Sequence, residues 1–293
     1  MDNLSQLHNF TIHSENLPMK EYQLTKVRNR FPDNSLKDVK KVCQQELVKL
    51  AGLIKKDASI AIGVGSRGID NLEVVVKEVV DFVKKRGAFP FIIPVMGSHG
   101  GATAEGQEEV LARYGITEKA MGAPVRSSME TVELPGRKAA NRIYMDQLAY
   151  ESDGIILINK IKPHTDFHST YESGLVKMAV IGFGKELGAE SIHNFGVFGL
   201  TDLIPQTAKI IFNTGKILAG IALIENAYDK TMKVLAISGN EIMDEEIKLI
   251  EIARANRPAL PTDNIDVLLI DRMGKNISGV GIDTKIIGRI KIY

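Results

Sequence analysis

Apolar positions along the middle of the chain follow two alternating rhythms. Ser59 to Val64, Phe89 to Val95 and Gly154 to Asn159 are short, nearly continuous apolar runs, as expected of strands covered on both faces of a parallel sheet. Between them, Asp70 to Arg86 and Thr103 to Tyr114 place apolar residues at helical spacing. Another helix is expected from Ser35, as its cap, to about Leu53, with Val39, Val42, Leu47 and Leu50 along one face. Strand and helix in alternation predict right-handed βαβ units, so the expected class is α/β, a Rossmann-like, mostly parallel sheet flanked by helices.

Elsewhere the pattern changes. Two strand-like runs between Ser127 and Met145 flank Pro135-Gly136 and read as a hairpin. Leu200 to Asn213 and Glu241 to Ala255 read as helices. Ile217 to Glu225 and Thr231 to Ser238 read as consecutive strands joined at Asn226 to Lys230. Residues 1–35 are polar and weakly periodic, an expected N-terminal arm, and residues 36–255 form the expected N-terminal α/β domain. Pro258 and Pro261 mark 256–264 as a linker, and Ile265 to Ile270 reads as an apolar strand opening a second α/β domain over 265–293, cut short at Tyr293.

Charge narrows the partners. Lys plus Arg number 37 against 36 for Asp plus Glu, which leaves no one-sided basic field for nucleic acid, and the absence of Trp weakens base stacking further. Cys43 stands alone, so neither a disulfide framework nor a Cys-rich metal site is expected. No run reaches the roughly 18 apolar residues of a membrane span and Met1 to Phe10 lacks a signal core, so the expected location is the cytoplasm.

Candidate chemistry gathers where strands end. Gly63-Val64-Gly65-Ser66-Arg67-Gly68 spells a dinucleotide fingerprint after a strand and before a helix. The acidic residue that should follow at the end of the next strand is missing, since that strand ends Pro94-Val95-Met96-Gly97. The loop is therefore open to three readings: an NAD site, a site for another phosphate-bearing ligand helped by Arg67, or a tight turn. His99 follows the next strand among glycines, as a ligand-facing imidazole or a turn residue beside Thr103. His164 follows the strand ending near Asn159, with Lys160 and Lys162 making its surroundings positive, which suits an anionic substrate. His168, four residues on, reads as a supporting or surface residue. Lys177 lies in the otherwise apolar run Leu175 to Phe183, where a desolvated amine can act as a nucleophile or covalent anchor, or snorkel to solvent. His193 reads equally as a metal ligand or a core histidine.

Gly65-Ser66-Arg67, Met96-Gly97-Ser98-His99, Lys162-Pro163-His164, Gly174-Leu175-Val176-Lys177 and His193 together resemble the nickel-dependent lactate racemase family, a group long known as a domain of unknown function. The resemblance runs from about Ile60 to the end of the chain. It implies two α/β domains with a nickel-pincer nucleotide, a pyridinium mononucleotide carrying nickel, in the cleft. Lys177 would then bind the cofactor covalently, and His193, sixteen residues on, would ligate the nickel. His99 and His164 would be the acid/base pair; Gly65, Ser66 and Arg67 would hold nucleotide or substrate, and Lys275 would contact substrate. The implied activity is a racemase or epimerase of a 2-hydroxy carboxylic acid by proton-coupled hydride transfer, with cofactor-making enzymes as partners. Two alternatives remain from the residues themselves: an NAD-linked oxidoreductase of similar acids, or a non-catalytic binder of a small anion or nucleotide.

Overall fold

A computed structural model describes residues 25–66, 68–135, 142–165, 167–274, 283, 284 and 286. The chain divides into two compact units, 1–30 and 31–293. Of the first, residues 25–30 are described and carry neither helix nor strand.

The second unit is built on a five-stranded sheet. Its strands are β1 (Ser59–Val64), β2 (Phe89–Pro94), β5 (Gly154–Lys160), β6 (Ile217–Glu225) and β7 (Thr231–Ser238), in the order β2-β1-β5-β6-β7. The first three pairings are parallel and β6 with β7 is antiparallel. A separate hairpin joins β3 (Thr131–Leu134) to β4 (Ile143–Asp146). The mostly parallel α/β class expected from the sequence is the one observed.

Alternation within the strands makes two cores. Ile60, Ile62 and Val64 of β1, with Ile156 and Ile158 of β5, point to a layer formed by α1 (Val39–Leu47) and α2 (Leu72–Lys85). Ala61, Ile155 and Leu157 point to the opposite layer, where Leu175 to Phe183 and the helices α5 (Ile204–Asn213) and α6 (Ile242–Ala255) pack. Both strand faces are buried, which explains why the strands read as unbroken apolar runs. α3 (Ala104–Arg113) follows β2, and α4 (Lys185–His193) precedes α5.

Two expectations shift, and one segment left unassigned by the sequence is helical. α1 starts later than Ser35, because the Ser35 hydroxyl bonds to Asp33 while Asp38 accepts from Lys41 N at 2.9 Å and caps the helix. Residues 175–203 are largely helical, with π-helical turns at Met178–Gly182 and Gly199–Leu203. Ile265 to Ile270, expected as a strand, has no ladder partner among the described residues, and its apolar side chains are exposed, Leu269 to 90%. Most of the chain beyond Arg272, Lys275 included, lies outside the described residues. No described helix is long and apolar enough to cross a membrane.

Candidate functional site

The strand order places the site. From β1 the chain moves to β2 on one side, then returns through the hairpin to β5 on the other. The carboxyl ends of β1 and β5 therefore flank a switch point, where the departing loops diverge and leave a crevice. Gly65-Ser66 follows β1, Met96 to His99 follows β2, and Ile161 to His164 follows β5.

These loops open on one cavity of about 450 Å³. Its wall includes Gly65, Ser66, His99, His164, Lys177 and His193, so every described residue singled out in the sequence for catalysis, cofactor or metal meets there. Arg67 and Lys275 lie outside the described residues. Lys162 adds positive charge, while Lys160 is paired with Glu225, and the described lining holds three lysines and three histidines but no carboxylate.

Each group is held differently. The Ser66 hydroxyl and His99 Nδ1 share a hydrogen bond of 2.5 Å, and Tyr114 donates to the Ser66 carbonyl at 3.0 Å, joining the β1 and β2 loops. His164 stacks on Phe167 with ring centroids 4.4 Å apart, and the Lys177 ammonium lies 5.6 Å from the same ring. Lys177 and Ile181 are the half-buried members of a helical run whose other residues are buried, and both face the cavity. The lysine does not simply snorkel outward. His193, the last residue of α4, stands at the rim. Desolvation, aided by the nearby positive charge of Lys177, pushes its pKa below the ordinary imidazole value, which favours the neutral, ligating form.

Behind the wall sits a set of buried polar side chains that no sequence pattern singles out. Glu172 accepts from His164 N at 2.5 Å and Arg254 Nη2 at 2.6 Å. His168, mostly exposed, bonds to the same carboxylate at 2.9 Å, in keeping with a supporting or surface role. Glu246 accepts from Leu175 N at 2.6 Å and Val176 N at 3.0 Å, capping the short helix Leu175–Lys177. Desolvation raises its pKa to about 7 against the pull of those two N–H groups. Gln107 donates to the carbonyls of Gly97 and His99.

The glycine fingerprint has a packing origin. A Cβ on Gly63 would come within 2.8 Å of Val95 and 3.0 Å of Phe183, and one on Gly65 within 3.1 Å of Asn159. Two residues before α2, Asp70 N donates to Glu225 at 2.8 Å, which brings a carboxylate close to the helix start and disfavours a phosphate there. Packing thus accounts for Gly63 and Gly65, whereas a Cβ on Gly68 would meet only Tyr114, at 3.8 Å.

Residues 68–252 match the model of a family described as a domain of unknown function, DUF362. The chain belongs to that family. No curated protein matches it. Among solved structures, this DUF362 protein is similar to the lactate racemase apoprotein from Thermoanaerobacterium thermosaccharolyticum, with a TM-score of 0.59 and 15% identity. The match covers 78% of this chain and 60% of that one, so the DUF362 chain spans about three fifths of its neighbour's length. At that identity the likeness is one of fold.

Proposed function

We propose that this DUF362 protein inverts a 2-hydroxy carboxylate, as a racemase or epimerase, at the cavity beside β1. The observation that carries the proposal is the convergence of His99, His164, Lys177 and His193 on one lysine-lined cavity with no carboxylate among its described lining residues. Such a lining favours a small anion by charge, with Lys162 as a counter-charge. The fold shared with a lactate racemase apoprotein supports the same reading.

A nickel-pincer nucleotide fits the donor set. Among the described residues no three His, Cys, Asp or Glu side chains gather as a metal group, so nickel at His193 would have to arrive with its other donors already attached. Lys177 would hold the nucleotide covalently and His193 would give the nickel its protein ligand. When bound, that group supplies a place for the α-hydride to go and return from. The remaining work belongs to the chain. His99 follows β2 and His164 follows β5, on either side of β1, so their imidazoles approach from opposite flanks. Each can take the hydroxyl proton of one enantiomer at a ring nitrogen and return it to the other.

The test is intact mass after co-expression with cofactor-making enzymes, which act as partners in this reading. An adduct on Lys177, lost in Lys177→Ala, together with exchange of the α-hydrogen of a 2-hydroxy acid, is the expected result. An unmodified chain that exchanges no such hydrogen would overturn it.

A further inference from the structure

A lysine at full burial is unusual, and the chemistry above leaves Lys185 unused. Its side chain is 0% exposed at the first residue of α4. Its backbone φ is +52°, a left-handed conformation that a β-carbon disfavours, so something in the surroundings holds this residue there. The ammonium reaches Pro94 O at 2.7 Å, Gln107 Oε1 at 3.1 Å and Asp146 Oδ2 at 3.1 Å. Those partners come from the end of β2, from α3 and from the end of β4, so one ammonium ties three elements around the β2 loop.

Gln107 extends that tie to the site. An ammonium has only donors, so it fixes the amide with Oε1 toward Lys185 and Nε2 toward the loop. Nε2 then donates to Gly97 O at 2.7 Å and His99 O at 3.2 Å, with Gln107 itself 0% exposed. The loop is seated closely: a Cβ on Gly106 would lie 1.9 Å from Gly100 O. His99 is therefore gripped twice, by its own carbonyl from α3 and by its ring from Ser66.

We propose that Gln107, its amide oriented by Lys185, is the positioning residue for His99. The inference rests on reading His99 as an acid/base group, and its test needs no turnover. Gln107→Glu keeps size and a partner for Lys185 but replaces both N–H donors with a carboxylate facing two carbonyls. A residue that served only to satisfy Lys185 would tolerate this change.

The experiment tracks carbethoxylation of each histidine by diethyl pyrocarbonate against pH in the full chain, read by peptide mass spectrometry. In Gln107→Glu the His99 rate or its pH midpoint should change about fivefold, the equivalent of one net hydrogen bond, with His164 and His168 unchanged. Gln107→Met should alter His99 likewise while lowering thermal stability. A folded Gln107→Glu protein with the His99 profile of the parent overturns the proposal. If neither variant folds, side-chain amide exchange in the parent decides: Gln107 protons exchanging as fast as those of exposed glutamines overturn it, and strong protection supports it. Absence of any 2-hydroxy acid exchange would remove the catalytic reading of His99 and leave the Gln107 result standing.

Discussion

The turn after β1 and the turn into Lys177 are built alike and end differently. Each hands the chain from the sheet edge to a helix, and each has a carboxylate from another element accepting backbone N–H groups at the helix start: Glu225 at Asp70, Glu246 at Leu175 and Val176. At the first, Lys160 pairs with Glu225. At the second, Glu246 has no ion pair among the described residues, and its Oε1 has no hydrogen-bond partner there. The glycine motif marks a closely packed turn, while the turn without a motif carries Lys177, the proposed covalent anchor.

One methyl group added to each turn should separate the two most strongly. A Cβ on Gly174 would sit 2.3 Å from Glu246 Oε1, whereas one on Gly65 would meet only the end of Asn159, at 3.1 Å. Gly174→Ala must expel the carboxylate from its cap, at a cost of about 4 kcal/mol from overpacking and the lost charge-assisted bonds. Gly65→Ala should cost about 1 kcal/mol, because Asn159 can yield. Urea unfolding of both variants measures the difference, and equal costs would show that the Glu246 cap is not what holds the second turn.

A smaller effect comes from the charge of Glu246 itself. Folding raises its pKa from an ordinary 4.5 to about 7. Between those values the native state keeps a proton that the unfolded state has released, so the contribution to stability is fullest below about pH 4.5 and is lost as pH rises through about 7. At about 1.4 kcal/mol per unit, the loss is about 3 kcal/mol. Glu246→Gln, uncharged throughout, should lack that slope. Unfolding free energies of the two proteins between pH 5 and 8 should therefore draw apart in the variant's favour, and parallel curves would remove Glu246 as the titrating group.

The same contrast explains what could be read from the sequence. β1, β2 and β5 were legible because each is a short apolar run bounded by turn residues, and α2 because only one of its faces is buried. Leu175 to Phe183 gave no helical rhythm, since the helix there is buried nearly all round and its glycines at 182 and 184 break the pattern. His99, His164 and Lys177 stood out as reactive side chains at strand ends or in an apolar run. Gln107, Lys185 and Glu246 did not, because a buried polar residue on a helix looks in sequence like one on the solvent face, and Glu172 did not, because it sits in a loop with no periodicity to mark it as buried. Several of their partners, Pro94 O and Leu175 N for instance, are backbone atoms far along the chain, which leaves no residue pattern to find.

The finest effect joins the two ends of the helical segment that begins at the second turn. His193 lies below the ordinary imidazole pKa first because it is desolvated and then because Lys177 is cationic. Lys177→Met removes the charge and keeps the apolar bulk, so the His193 pKa should rise while remaining held down by burial. An imidazole NMR titration, assigned with His193→Asn, reads this directly. A His193 curve indifferent to residue 177 would mean that the two side chains do not share one electrostatic environment, which would count against their proposed joint role in holding one cofactor.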